Sequence, residues 1–396
     1  MPREKVLILG GGGGGAILAN LLPQDRFEVT VVDKSEYHVF LPGFLWVAFK
    51  GQPKEKFRRP IRSLLRPGVE FVHDEVVGVD LNERKVRLRE RGELGYDYVV
   101  IATGAPLDFD AVPGHREIVE RFGDFYSTLD NAEKLHRTLL SMGEGRFVIA
   151  IADPIYKCPP GPHKGTFLSY ELFRKRGLAD RVKVVLAVPY PHVYSSKTIA
   201  DIIEPELEAR GIETHTFFTV DSIDAEKGKI YSLEGDELDF DVAAVIAPHS
   251  GPTYEVVPGE AKDDSDYIKV DKYTSQVVGF DDAYAIGDCT NAPTSKSGVT
   301  AHLQADTVAK RLQGFDARYT GRTNCPLILD GKGLFVISDY EHSPIPVRIS
   351  RLKRFLEELF VATYWSAIRY PELWGPIFDA YFEASEPEVF LRYGGW

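Results

Sequence analysis

Cys158 stands in the run Tyr156-Lys157-Cys158-Pro159-Pro160-Gly161-Pro162, between an apolar stretch from Arg146 to Ile151 and a segment of helical character from Phe167 to Arg176. A strand, a tight loop and a helix are half of a dinucleotide-binding fold. That loop ordinarily carries glycines, so that backbone amides can approach a pyrophosphate at the helix N-terminus. Here prolines remove the donors and a thiol occupies the mouth. A thiolate is a nucleophile and can pass electrons, so the residues at this position allow thiol redox chemistry in place of nicotinamide binding. The remaining cysteines are Cys289 and Cys325. Such scattered cysteines provide neither a disulfide framework nor the paired short spacings of a zinc site, and no metal is expected. They leave two readings, redox thiols or small buried apolar side chains.

A second constellation lies at the start of the chain. Gly10, Gly12 and Gly15 have the G-x-G-x-x-G spacing and directly follow the apolar run Val6 to Leu9. Ala16 to Leu22 continues as a helix, and Phe27 to Val32 forms a second strand that ends at Asp33, with Lys34 beside it. Strand, glycines, helix, strand and acid in register predict an adenine-dinucleotide site, with Asp33 on a ribose hydroxyl. A flexible glycine linker would not require the acid. Two later segments resemble the FAD-binding motifs of flavoproteins with two dinucleotide domains. One is Tyr98 to Gly104, with Ala102, Thr103 and Gly104 at its end; the other is Ala283 to Asp288, an apolar strand closing on Gly287 and Asp288. That resemblance implies FAD, a contact from Asp288 to the ribityl chain, and a helix after Pro293 whose positive end points at the flavin.

To position these groups, a chain of 396 residues needs more than one core. The expected class is α/β, with two tandem Rossmann-like dinucleotide-binding domains and a C-terminal amphipathic helical membrane-surface region. The FAD-binding domain is assigned to 1–105 and 271–320, and the second Rossmann-like domain, which lacks a nicotinamide fingerprint, to 106–270. Residues 321–396 are set apart as a third, C-terminal region, expected to meet a membrane surface. In the second domain strands are expected near 146–151, 182–188 and 242–247. The strand at Val184 runs into Pro189-Tyr190-Pro191 rather than a ribose-binding acid. A net charge of −12 without a basic block argues against nucleic acid.

The pattern Gly-Asp-Cys-Thr-Asn-x-Pro-Thr-Ser-Lys from Gly287, followed by Tyr319-x-Gly-x-Thr-x-Cys-Pro-Leu, resembles the sulfide:quinone oxidoreductases, especially their mitochondrial-type branch. Lys157-Cys158 and Trp374-Gly375-Pro376 extend the resemblance over nearly the whole chain. The resemblance implies that Cys158 and Cys325 form a redox pair beside FAD, bridged when oxidised by a disulfide or an extra sulfur. Sulfide attacks one sulfur to leave a persulfide. The other cysteine leaves as a thiolate that adds to, or stacks against, the flavin, and a small thiol or other acceptor removes the sulfur. Cys289 also matches a family position and is read as structural. A lowered thiol pKa is expected at Cys158, with Lys157 as its local cause. Lys296 matches a family lysine at the pyrimidine edge of the flavin, where a cation would stabilise the reduced ring; a solvated lysine at a helix start is the alternative. Other members carry a glutamate where this chain has Lys164, and some carry a further cysteine near Ser127. His192 is the nearest candidate for proton handling, although a lone histidine is more often a surface or capping residue.

In the C-terminal segment Leu352, Phe355, Leu356, Leu359, Phe360 and Thr363 recur at helical spacing, with Arg351, Lys353, Arg354, Glu357 and Glu358 between them. Packing on a core and lying on a bilayer both suit that pattern. Phe360, Tyr364, Trp365, Trp374 and Phe378 are the candidates for a quinone mouth or a lipid interface. No run reaches the ~20 apolar residues of a spanning helix. The apolar run at Val6 leaves no room for a cleavable export signal. The expectation is a monotopic protein on the cytoplasmic membrane, of open face, with sulfide, a membrane quinone and a bilayer surface as partners and a homo-oligomer possible. Two related activities remain as alternatives, a type II NADH:quinone oxidoreductase and a flavocytochrome-type sulfide dehydrogenase. The latter family tethers FAD through an early cysteine, and Phe40 to Phe44 has none.

Overall fold

The computed structural model of the protein describes residues 2–377 and residue 380. Its first half is built on a parallel sheet formed by the strands Ala283–Ala285, Tyr98–Ile101, Glu4–Leu9, Phe27–Asp33 and Glu70–His73, in that spatial order. The central strand is buried on both faces. Val6 and Ile8 pack toward the helices Gly13–Leu21 and Gly298–Leu312, while Leu7 and Leu9 pack toward an antiparallel layer containing Val79 and Val86. Double burial explains why the strand reads as an unbroken apolar run rather than an alternating one.

The second half has its own parallel sheet, Glu213–His215, Val182–Ala187, Gly145–Ile151 and Val242–Ile246 in spatial order. The strands expected from the sequence are all present here. The helix after Cys158 begins earlier than its apolar spacing suggested, at Gly161 rather than Phe167, and runs to Lys175. Proline suits such a start, because the first turn has amides without helical partners in any case.

Two boundaries differ from expectation. The strand Glu255–Val257, placed by its sequence position in the second domain, pairs in parallel with Val76–Asp80 of the first. The chain has therefore returned to the flavin half well before residue 271. The C-terminal region is not helical throughout. It opens with an antiparallel sheet, Thr323–Leu329, Lys332–Ser338 and Ile345–Ser350, before the helix Arg351–Arg369. Leu327, Leu329 and Leu334 join the core of the second half, so this sheet is an integral layer and not an appendage.

Candidate active site

The glycine loop has the geometry its spacing required. Gly10 has φ +108°, and a Cβ at Gly15 would overlap the Gly10 carbonyl oxygen, so neither position admits a side chain. Gly12 faces open space, with nothing within 4 Å of a Cβ placed there. Asp33 ends its strand where a ribose should lie. Its Oδ2 accepts the Gly11 amide at 2.6 Å and its Oδ1 the Ser35 amide at 2.8 Å. Burial holds its carboxyl above the usual aspartate range, while those amides and nearby Lys34 and His73 oppose the rise. Lys34 itself is exposed, and its carbonyl meets His73.

At the end of the neighbouring strand, Ala102 donates its amide to Leu9, and the Thr103 hydroxyl meets the Tyr254 hydroxyl at 3.1 Å. Gly104, φ +73°, again faces open space. Gly287, φ +76°, donates its amide to Gln304 Oε1 at 2.7 Å, which fixes the turn that carries Asp288. Burial raises the Asp288 carboxyl, opposed by the ammonium groups of Lys157 and Lys296. Gly12 and Gly104, whose backbones face open space, and the acids Asp33 and Asp288 all lie at the C-terminal ends of strands of the first sheet, where open α/β sheets bind dinucleotides. The residues fit FAD.

The mouth of the second half offers no comparable cradle. Pro159, Pro160 and Pro162 have no amide hydrogen, and the Gly161 amide is taken by the Cys158 carbonyl at 2.6 Å. What stands there is Cys158, at φ +56°, a left-handed conformation rarely adopted outside glycine. Its amide donates to the Lys296 carbonyl at 2.7 Å, and its carbonyl also accepts the Tyr126 hydroxyl at 3.2 Å. Cys325 comes from the strand Thr323–Leu329. Its sulfur lies 3.9 Å from Ser295 Oγ and 3.8 Å from Thr323 Oγ1. Adjacent residues, Ser295 and Lys296, thus hold the two cysteines, which are free thiols. A cavity of about 710 Å³ opens on Cys325 and is lined by Tyr156, Tyr194, Tyr267 and Lys296 among others.

The electrostatics depart from expectation at Cys158. Burial pushes its thiol up to about 11, and the cation that opposes the rise is Lys164, not Lys157. Lys164 is buried and bonds Glu357 of the C-terminal helix, Nζ to Oε1 2.7 Å. A carboxylate from a remote helix thus stands among the charges that act on Cys158. Glu357 and the tyrosines 126 and 194 were not singled out from sequence; Glu357 could have been noticed only as an acid on a helix thought to be apolar on its inner side.

Lys296 donates to the carbonyls of Asp288 and Thr290, at 2.9 and 3.0 Å, and its ammonium stands 3.6 Å above the Tyr267 ring. It ties its own loop together. Cys289 is fully buried, with its sulfur against the Ile101 and Ile286 carbonyls, in keeping with a structural thiol. Ser127 donates its hydroxyl to Asp124 at 2.8 Å. His192 is half-buried in the loop after Val182–Ala187 and does not line the cavity. Among the described residues no group of three or more His, Cys, Asp or Glu could hold a metal.

The aromatic candidates divide. Tyr364 packs on Phe40 with ring centroids 4.1 Å apart, and its hydroxyl meets His38 Nε2 at 2.7 Å. Trp365 donates to the Lys56 carbonyl at 3.2 Å, and Phe360 lies 6.1 Å from Phe40. These three half-buried side chains close the C-terminal helix onto the flavin half. Trp374 donates to Ser366 Oγ at 3.0 Å; Phe378 lies outside the described residues. The outward face belongs instead to Leu352, Phe355 and Leu359, exposed to 62 %, 57 % and 45 %, with Leu373 and Ile377 further on. Arg354 and Glu357 point inward. Among the described residues no helix is long and apolar enough to cross a membrane.

Comparison with known proteins agrees with this architecture. The family described as pyridine nucleotide-disulphide oxidoreductase matches residues 4–150 and 166–305. A mitochondrial sulfide:quinone oxidoreductase of Mus musculus is 24% identical over 359 residues, covering 87% of this chain and 79% of its own. Its counterpart in Dictyostelium discoideum is 26% identical, covering 82% and 75%. The structure of a sulfide:quinone oxidoreductase from Aquifex aeolicus superposes with a TM-score of 0.80 at 19% identity, covering 93% of this chain and 92% of that one.

Proposed function

Because this chain belongs to the pyridine nucleotide-disulphide oxidoreductase family, whose cofactor is FAD, we propose that it oxidises sulfide through Cys158 and Cys325 and delivers the electrons to a membrane quinone. The observation that carries this reading is the convergence of the two thiols on Ser295 and Lys296, in the loop that follows the flavin turn at Asp288. The identities of the mouse and Dictyostelium relatives support it. The prolines at the second mouth disfavour NADH as donor, since they remove the amides that would hold its pyrophosphate.

In the oxidised enzyme the two sulfurs are bonded to each other, directly or through one further sulfur. Hydrosulfide attacks one of them; a new S–S bond forms, the old one breaks, and the other cysteine leaves as a thiolate. Burial disfavours a thiolate at Cys158, and Lys164 offsets part of the cost as the cation that opposes the rise. Once the persulfide sulfur has left, re-forming the S–S bond between Cys158 and Cys325 would release two electrons, which FAD, when bound, would take up and hand to a quinone. The persulfide sulfur leaves to an acceptor, a small thiol or another sulfur nucleophile, for which the cavity at Cys325 provides the approach. Residues 10–15, 33, 34, 102–104, 287 and 288 hold the dinucleotide in this reading. Leu352, Phe355 and Leu359 rest on the bilayer surface, an apolar set that a core-packed helix would have turned inward.

Anaerobic titration of the FAD-loaded protein with sulfide, then with a short-chain quinone, tests the proposal. Sulfide should bleach the flavin and quinone should restore it. C158S and C325S should retain FAD and lose sulfide-driven bleaching by at least a hundredfold. Bleaching by NADH but not by sulfide would refute it.

A further inference from the structure

Two lysines act on the Asp288 carboxyl, and they are not equivalent. Lys296 has three donor hydrogens and spends its ammonium on two carbonyls of its own loop and the face of Tyr267. Lys157 makes one long hydrogen bond, Nζ to the Ala105 carbonyl at 3.3 Å. Ala105 follows Gly104, which has open space on its Cβ side just past the end of the strand Tyr98–Ile101. Lys157 is therefore a half-buried ammonium with unused donors, held beside the turn that ends the strand Tyr98–Ile101 and within electrostatic reach of Asp288.

We propose that Lys157, rather than Lys296, is the cation that contacts the isoalloxazine ring and stabilises its reduced form. Two electrons and one proton convert the oxidised ring to a species bearing one negative charge, and a fixed cation beside it favours that product over the neutral oxidised ring. Burial lowers the pKa of Lys157, with Asp288 and Asp124 as the acids that oppose the fall, as suits a cation kept for an anion that forms during turnover. Lys296 acts as a positioning residue that fixes the turn at Asp288 and the carbonyl received by Cys158. The assignment rests on FAD and not on the identity of the electron donor.

The test is the two-electron midpoint potential of the FAD-loaded protein, measured by dithionite titration with a reference dye, without sulfide or quinone. K157M and K157Q should each disfavour reduction by about tenfold or more, a fall of roughly 30 mV, and alter the flavin absorption band. K157R should restore the wild-type potential. K296M should lower FAD retention and melting temperature with a smaller change in potential. Loss of FAD from both neutral variants but not from K157R would also support the contact. Potentials of K157M and K157Q equal to wild type, or a large fall confined to K296M, would overturn it. Failure of sulfide to bleach wild-type protein would count against the proposed activity alone.

Discussion

Lys164 and Glu357 form a buried ion pair, Nζ to Oε1 2.7 Å, between the helix that follows Cys158 and the helix near the C-terminus. The same helix that turns Glu357 inward turns Leu352, Phe355 and Leu359 outward, so the thiol environment and the exposed apolar face share one rigid element. Desolvation opposes the charge on Lys164, but Glu357 and the two thiols hold its pKa above the usual lysine value.

Breaking that pair should be costly. E357L leaves an ammonium buried without its counter-ion and should lose about 3–5 kcal/mol in urea unfolding, whereas K164M/E357L should recover much of the loss. The pH dependence has a definite sign. Since the folded value of Lys164 lies above the ordinary 10.5, the stability it contributes is complete below that pH and declines as pH rises through the folded value. Wild-type protein should show this alkaline decline and the double variant should not.

The Cys158 thiol, pushed up to about 11, should alkylate slowly in the reduced enzyme. At pH 8 the thiolate fraction is about one in a thousand. K164M should depress iodoacetamide labelling of Cys158 further, and E357Q, which removes a like charge, should accelerate it; peptide mass mapping across pH 7–10 checks both. Equal rates in all three proteins would remove Lys164 from the thiol's electrostatics.

Buried histidines limit stability at acid pH: His38 and His163, together with His115 and His249, which burial also lowers. Burial lowers both His38 and His163 to about 4, so each is neutral in the folded state near pH 7. In the unfolded chain they take up protons near 6.5. Stability from this source is present above 6.5 and is lost as pH falls toward 4, on the order of 3 kcal/mol per histidine. H38Q and H163Q should each flatten the decline in melting temperature between pH 6.5 and 4.

The exposed face of the C-terminal helix should govern lipid attachment and little else. L352E/F355E/L359E should abolish co-sedimentation with liposomes and change unfolding free energy by less than about 1 kcal/mol, because surface substitutions rarely cost more. Y364F should do the reverse. It leaves His38 Nε2 without its hydroxyl partner inside the protein and should cost about 1–3 kcal/mol, with liposome binding intact. Loss of lipid binding in Y364F alone would relocate the contact.

Much of this protein was legible from local sequence, because its decisive features are local. A turn that must bring backbone against backbone demands glycine, so Gly10 and Gly15 announced a dinucleotide loop. A strand buried on both faces must be apolar throughout, so Val6 to Leu9 and Phe147 to Ile151 announced parallel sheets. Prolines lack an amide hydrogen, so the loop at Cys158 announced the loss of a phosphate cradle. Relationships among distant residues were decided only by the tertiary structure. Cys158 and Cys325 share Ser295 and Lys296 because an antiparallel sheet, not recognised from its sequence, packs on the second core. The C-terminal helix shows the same limit in its plainest form, since helical spacing marks an apolar stripe but cannot say which way it turns. A buried lysine 193 residues away drew Glu357 inward, and the apolar stripe was left facing out.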